Sequence, residues 1–255
     1  MTAKAPLPLY RVRESLRAKH IHLRFSLRDG LEVVVPPGFD CREIPELLRE
    51  KERWIKRTRR ELEVQRALLD PRPRNQMPDA IALLALSETW RLDAVPASGR
   101  LEVREQDGLR LQIAGPVHDP ERWRAGLKRW TARRARSSLG AWVEREEEAC
   151  ELSHLEVSIR WQKSRWGSCS RRSGLSLNAG LLFLPPHLVR YVILHELCHT
   201  ERMDHSPAFW RRLETFEPRA RELRAELRSA WHYVPSWCEP APAGGPAVDA
   251  CAPPT

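Results

Sequence analysis

Three histidines lie within eleven residues in the segment HELCHTERMDH, at positions 195, 199 and 205. His195 and His199 are four residues apart, so on a helix they project from one face about one turn from each other. His205 lies six residues further on, which is about 240° around an ideal helix. A straight helix would point His205 away from the other two. The chain must therefore turn after His199 if all three histidines act together.

Two histidines at this spacing can chelate one ion, and a histidine-rich ligand set suits zinc. Three protein ligands on zinc leave an open position for water, and zinc lowers the pKa of that water to about 7. Glu196 directly follows His195, so its carboxylate can accept a proton from the water. The pattern predicts a zinc hydrolase with His195 and His199 as ligands and Glu196 as the catalytic base.

His205 is the favoured third ligand, and it requires the turn described above. Asp204, Ser206 and Pro207 favour such a turn. Metzincins share the HExxHxxxxxH spacing but have glycine where this chain has Arg202, so the turn must be made differently here. Other side chains could supply the third ligand, and all of them are acidic: Glu201, Asp204, Glu214 and Glu217.

The first part of the chain has the patterns of strands and of one helix. Residues 20–26 and 31–35 alternate apolar and polar residues on either side of Arg28-Asp29-Gly30, which predicts a β-hairpin. Apolar residues recur at helical spacing over 44–62, which predicts an amphipathic helix. Two further strand pairs are predicted over 80–115.

The second part of the chain begins with a predicted long amphipathic helix over 119–152. Strand-like segments at 155–162 and 175–184 flank the segment KSRWGSCSRRSG and lead to the helix that carries HELCH. A last helical stretch, 209–227, is interrupted near Pro218.

These patterns predict three regions. They are a β-rich N-terminal region with one amphipathic helix over 1–116, a catalytic domain over 117–233, and a disordered Pro/Ala-rich tail over 234–255.

The net charge is +9, and arginine supplies most of the 43 basic residues. Such a balance can attract nucleic acid, and we expect at most weak binding through a basic surface because no reading motif is present. No apolar run approaches the roughly 18 residues that span a bilayer, and the N-terminus lacks a signal-peptide pattern. We expect a cytoplasmic protein with no membrane contact and a peptide or protein substrate.

The segment from about residue 160 to 212 resembles the YgjP-like family of metallopeptidases. It contains, in order, the family's WG-S-C segment, LN strand, HELCH helix and H-S-x-x-F-W close. The resemblance implies kinship with SprT-like and WLM zinc peptidases and an α+β fold. In that fold a zincin-like catalytic domain, with a short sheet against the active-site helix, follows a β-hairpin-rich N-terminal region. It also implies that His195, His199 and His205 bind Zn²⁺ and that Glu196 is the catalytic base.

The resemblance leaves the substrate open. Peptide-bond hydrolysis is favoured, with the strand around residues 175–182 aligning an extended peptide. A metal-dependent nucleotide (UTP) pyrophosphatase and a DNA-associated SprT-like protease are the alternatives. Arg165 and Trp166 are candidate substrate-binding residues on the KSRWGSCS stretch, although Trp166 could equally be core packing. Asn178 is a third candidate, with a structural hydrogen bond as its alternative role.

Overall fold

The structure is a computed structural model that describes residues 8–16, 18–26, 30–69 and 75–238. It has a mixed α+β fold with three small sheets and six α-helices in the described residues, which confirms the predicted α+β class. The described residues form two compact units, one up to residue 69 and the other over residues 75–238. No helix in the described ranges is long and apolar enough to cross a membrane.

The first unit contains a three-stranded sheet of order β1-β3-β2. Its strands are β1 (Tyr10–Glu14), β2 (His22–Ser26) and β3 (Gly30–Val35). β2 and β3 are antiparallel, with Ser26 opposite Gly30, as the alternating pattern predicts. The predicted turn residues Arg28 and Asp29 lie outside the described residues. β1, which runs parallel to β3, was not predicted because YRVRE is short and highly charged.

Two helices stand where one amphipathic helix was predicted. They are α1 (Ile44–Glu50) and α2 (Glu52–Leu69), separated at Lys51. A short 3-10 helix, Cys41–Glu43, precedes them. Ile44, Leu48 and Ile55 are buried against the apolar residues of β3, so the helical periodicity does mark the packed face.

The second unit begins with a four-stranded sheet of order β4-β5-β7-β6. Its strands are β4 (Ala80–Leu83), β5 (Glu88–Pro96), β6 (Glu102–Gln106) and β7 (Arg110–Gly115). The two predicted strand pairs are antiparallel, and β5 and β7 join them in parallel.

Helix α3 (Pro120–Cys150) packs on this sheet. Asp119 accepts hydrogen bonds from the N–H groups of Glu121 and Arg122, which fixes where the helix starts. The apolar residues of α3 and of the sheet share one core with the helix that carries the histidines. β4–β7 and α3 therefore belong to one compact unit, and the predicted division at residue 116 lies within it.

The other sheet of this unit has the order β8-β10-β9 and precedes the helix that carries the histidines. Its strands are β8 (Glu156–Arg160), β9 (Gly167–Cys169) and β10 (Gly174–Asn178). β10 runs parallel to β8 and antiparallel to β9. The predicted strand over 175–184 ends early because Asn178 caps a 3-10 helix, Ala179–Phe183.

Three helices complete the unit: α4 (Pro186–Glu201), α5 (Pro207–Phe216) and α6 (Ala220–Leu227). The break between α5 and α6 lies at the predicted position near Pro218. Part of the predicted tail is folded, because Trp237 is buried and packs edge-on against Phe183 at 6.0 Å. Residues 239–255 lie outside the described residues.

Candidate metal centre

The chain turns sharply between His199 and His205 without a glycine. Helix α4 ends at Glu201, and Arg202 adopts an extended conformation with φ −139°. Asp204 accepts a hydrogen bond from the N–H of Ser206 at 3.2 Å, and the hydroxyl of Ser206 caps α5 by accepting from the N–H of Phe209. The reversal is thus built from an extended residue and two side-chain caps, and it brings His205 back to α4.

The Nε2 atoms of the three histidines converge on one point. His195 Nε2 lies 3.2 Å from His199 Nε2 and 3.1 Å from His205 Nε2, and the three ligand atoms all lie within 4.8 Å of one another. One Nε2 carries at most one proton, so His195 cannot donate to both neighbours. Tetrahedral zinc at the usual Zn–N distance separates two ligand nitrogens by about 3.4 Å. The observed spacing fits a shared cation.

The protonation of the histidines also suits a cation. His199 Nδ1 donates to the carbonyl oxygen of Arg202 at 2.8 Å, which leaves the Nε2 lone pair facing the other rings. Burial lowers the pKa of His195 to about 3, and the charges of His199 and His205 act in the same direction. Burial likewise lowers the pKa of His205. Burial therefore favours the neutral imidazoles of His195 and His205, which is the form that binds a metal.

Glu196 lies beside this cluster and is not a member of it. Its side chain is 6% exposed. Burial raises the pKa of Glu196 to about 7, while the charge of Arg165 and a hydrogen bond from the N–H of Cys169 act in the opposite direction. A buried carboxylate with these two stabilising neighbours can exist in either protonation state near neutral pH, as a general base requires.

Strand β9 leaves room for Glu196 because residue 167 is glycine. A Cβ atom at Gly167 would lie 2.7 Å from both Cγ and Oε1 of Glu196. The edge strand and the carboxylate are therefore in direct contact, and any side chain at this position would displace Glu196.

The acidic alternatives for the third ligand are all engaged elsewhere. Three of them form ion pairs with arginines: Glu201 pairs with Arg212, Glu214 with Arg221, and Glu217 with Arg190. Asp204 caps the turn through Ser206. Only His205 among these candidates reaches the other two histidines.

Two of the three predicted substrate-binding residues make structural contacts in the fold. Asn178 is fully buried, and its amide donates to the carbonyls of Gln162 and Arg165 and accepts from the N–H of Gly180. Trp166 is 7% exposed and stacks on Trp231 with ring centroids 4.0 Å apart. Both residues hold the loop that leads into β9.

Arg165 has a different position from these two. Its side chain is exposed, and its charge acts on Glu196. It remains available to a substrate.

The sequence matches a family model over most of its length. The model is that of the YgjP-like metallopeptidase domain, and the match covers residues 19–230. The chain belongs to the YgjP-like family. The resemblance seen in the HELCH region is thereby confirmed, and this YgjP-like protein is a metallopeptidase by family.

Two solved archaeal metallopeptidase zymogens are similar to part of this YgjP-like protein. Abylysin from Pyrococcus abyssi has 27% sequence identity and a TM-score of 0.31, covering 33% of this chain and 87% of its own. Jannalysin from Methanocaldococcus jannaschii has 22% identity and a TM-score of 0.30, covering 33% of this chain and 88% of its own. No curated protein matches the chain.

One residue of this YgjP-like protein that contacts all three histidines was not predicted from the sequence. Phe209 is fully buried, and its ring lies 5.0 Å from His195, 4.5 Å from His199 and 5.0 Å from His205. It fixes the three imidazoles against one apolar surface. The available signal was its place in the H-S-x-x-F-W close, only four residues after His205.

Proposed function

We propose that this protein is a zinc-dependent metallopeptidase that hydrolyses peptide bonds. His195, His199 and His205 would hold Zn²⁺, and Glu196 would be the catalytic base. The observation that carries the proposal is the convergence of three Nε2 atoms beside a separate, buried carboxylate. A structural zinc site normally uses four protein ligands, which leaves no role for an adjacent acid.

The chain supplies the proton chemistry. Zinc, when bound, acts as a Lewis acid that polarises the scissile carbonyl and acidifies the attacking water. The Glu196 carboxylate accepts the proton from the water and delivers it to the leaving amine. Its hydrogen bond from the N–H of Cys169 and the contact with Gly167 keep it in place.

The substrate strand is better assigned to β9 than to the segment around residues 175–182. β10 lies between β8 and β9, so its backbone groups are already in the ladder. Asn178 N–H donates to Trp166 O, and Ser170 N–H donates to Gly174 O. Alternate residues of β9 and its two flanking residues therefore direct their backbone N–H and C=O groups towards β10. Gly167 therefore faces the outer edge.

An extended peptide could pair with this edge beside Glu196, because β9 packs against α4. Such pairing would fit the zincin-like arrangement that the family resemblance implies, with a short sheet against the active-site helix. Exposed Arg165 would contact the same peptide.

The two alternatives have less support. A UTP pyrophosphatase would be expected to use magnesium and several carboxylates, yet the one candidate metal group among the described residues consists of histidines. A DNA-associated protease is motivated by the net charge of +9. Weak nucleic-acid binding remains a prediction, and DNA affinity that falls steeply with salt would support it.

Metal removal tests the proposal. The purified protein is treated with a chelator, reloaded with one equivalent of zinc, and assayed against unstructured peptides and against UTP. We expect peptide cleavage that is lost on chelation and restored by zinc, with UTP left intact. Turnover of UTP alone would show that the peptidase assignment is wrong.

A further inference from the structure

Arg224 on α6 lies close to the metal centre. Its guanidinium carbon is 4.9 Å from the centroid of the Trp210 ring. The Trp210 ring in turn lies 6.4 Å from the rings of both His195 and His205. The side chain of Arg224 is exposed, and stacking on an indole face restricts its motion. A cation is therefore held on the ring of a tryptophan that neighbours two of the three histidines.

Arg224 differs from its neighbours on α6 in having no counter-ion. Arg219 pairs with Glu222 at 3.0 Å, and Arg221 pairs with Glu214 at 2.6 Å. Within the described ranges, no carboxylate oxygen pairs with Arg224. An arginine presents five donors in a planar fork that matches a carboxylate. Those donors are left for a ligand.

The charge of Arg224 also reaches the site. Burial is the largest influence on the pKa values of His195, His205 and Tyr191, and Arg224 lowers all three. A substrate bound over the histidines would experience the same charge.

We propose that Arg224 binds a carboxylate of the substrate and gives the enzyme a preference for peptides that carry one near the scissile bond. The inference rests on the proposed peptidase function. The carboxylate could belong to an acidic side chain or to the C-terminus of the peptide. Arginine binds both in the same bidentate geometry.

The chain offers a matched control in Arg221. It also lies over the Trp210 ring, at 5.1 Å, and is on the same helix. Its charge is already paired with Glu214. Arg221→Gln and Arg224→Gln therefore remove the same charge and a similar contact with Trp210, but only Arg224→Gln removes an unpaired cation.

The test compares three zinc-loaded proteins, the wild type and these two variants, on three sets of peptides. The peptides of the first set have an amidated C-terminus and carry Glu at each position around the cleaved bond in turn. Those of the second set are also amidated but carry Gln at these positions. Those of the third set carry Gln and have a free C-terminal carboxylate. We expect the wild type to have about tenfold higher kcat/KM for at least one carboxylate set, as for an exposed charge-assisted hydrogen bond. The set that is preferred identifies the source of the carboxylate.

Arg224→Gln should bring this ratio close to one, and Arg221→Gln should leave it unchanged. Arg224→Glu should reverse the preference towards peptides with Lys at the same position, which misfolding could not produce. Equal loss on all sets, or an unchanged ratio in Arg224→Gln, would overturn the inference. If the zinc-loaded wild type cleaves no peptide of any set, the proposed function itself fails.

Discussion

Glu196→Gln is expected to lower kcat/KM for peptide cleavage by about 10²–10⁴-fold while the protein keeps its zinc, because a positioned general base contributes on that order. Glutamine has nearly the same shape and can still accept the hydrogen bond that Cys169 donates to Glu196, but its amide cannot take up a proton. The measurement is steady-state cleavage by protein whose zinc content has been determined in the same preparation.

Glu201→Gln is the matched control for this variant. Glu201 is the last residue of α4, and it forms a partly exposed ion pair with Arg212 at 2.9 Å. Loss of such a pair costs about 0–1 kcal/mol, and the side chain is outside the histidine cluster. We expect near wild-type activity. A zinc-loaded Glu196→Gln variant that is as active as Glu201→Gln would exclude Glu196 as the base.

Gly167→Ala should reduce activity by about 10²-fold, which is the scale associated with a 1 Å misplacement of a catalytic group. The new methyl group would lie 2.7 Å from Cγ and Oε1 of Glu196, so the carboxylate must move. The three nearest atoms all belong to that one side chain, so the fold is expected to persist. The zinc content and the circular dichroism spectrum should stay the same while kcat falls.

Gly140→Ala makes the same chemical change in open space. Gly140 lies inside α3, and apart from its chain neighbours and the nearby backbone of its own helix no atom lies within 4 Å of the position that a Cβ would take. Alanine should stabilise the helix by about 0.5–1 kcal/mol and leave cleavage unchanged. Equal activity of the Gly167→Ala and Gly140→Ala variants would contradict the contact between β9 and Glu196.

Local patterns of the sequence predict much of the centre. The spacing of His195, Glu196 and His199 depends only on helix geometry. The position of His205 required a turn, and the caps at Asp204 and Ser206 could be read from local chemistry. The sequence favours His205 as the third ligand but cannot exclude the acidic candidates. Their exclusion depends on which arginines those carboxylates contact in the folded chain.

Other features of the site and fold could not be predicted because they depend on contacts between residues that are distant in sequence. The segment KSRWGSCSRRSG has no alternating pattern, so β9 was interpreted as loop, and its role depends on pairing with β10. Local sequence leaves both a substrate-binding and a structural role open for Asn178 and Trp166. Their partners, Gln162 and Trp231, are distant in sequence. The compact unit that contains residue 116 extends to both sides of it, because β4–β7 share a core with α3 and α4.

The central claim is that His195, His199 and His205 together hold one zinc ion. The most direct measurement is the zinc content, by mass spectrometry, of the wild type and of each His→Ala variant, with His187→Ala as control. His187 is also on α4, but it is exposed and pairs with Glu226 at 2.9 Å. The account predicts one zinc per chain in the wild type and in His187→Ala, and a loss of zinc in the other three variants. Full zinc retention in His205→Ala, or no zinc in the wild type, would contradict it.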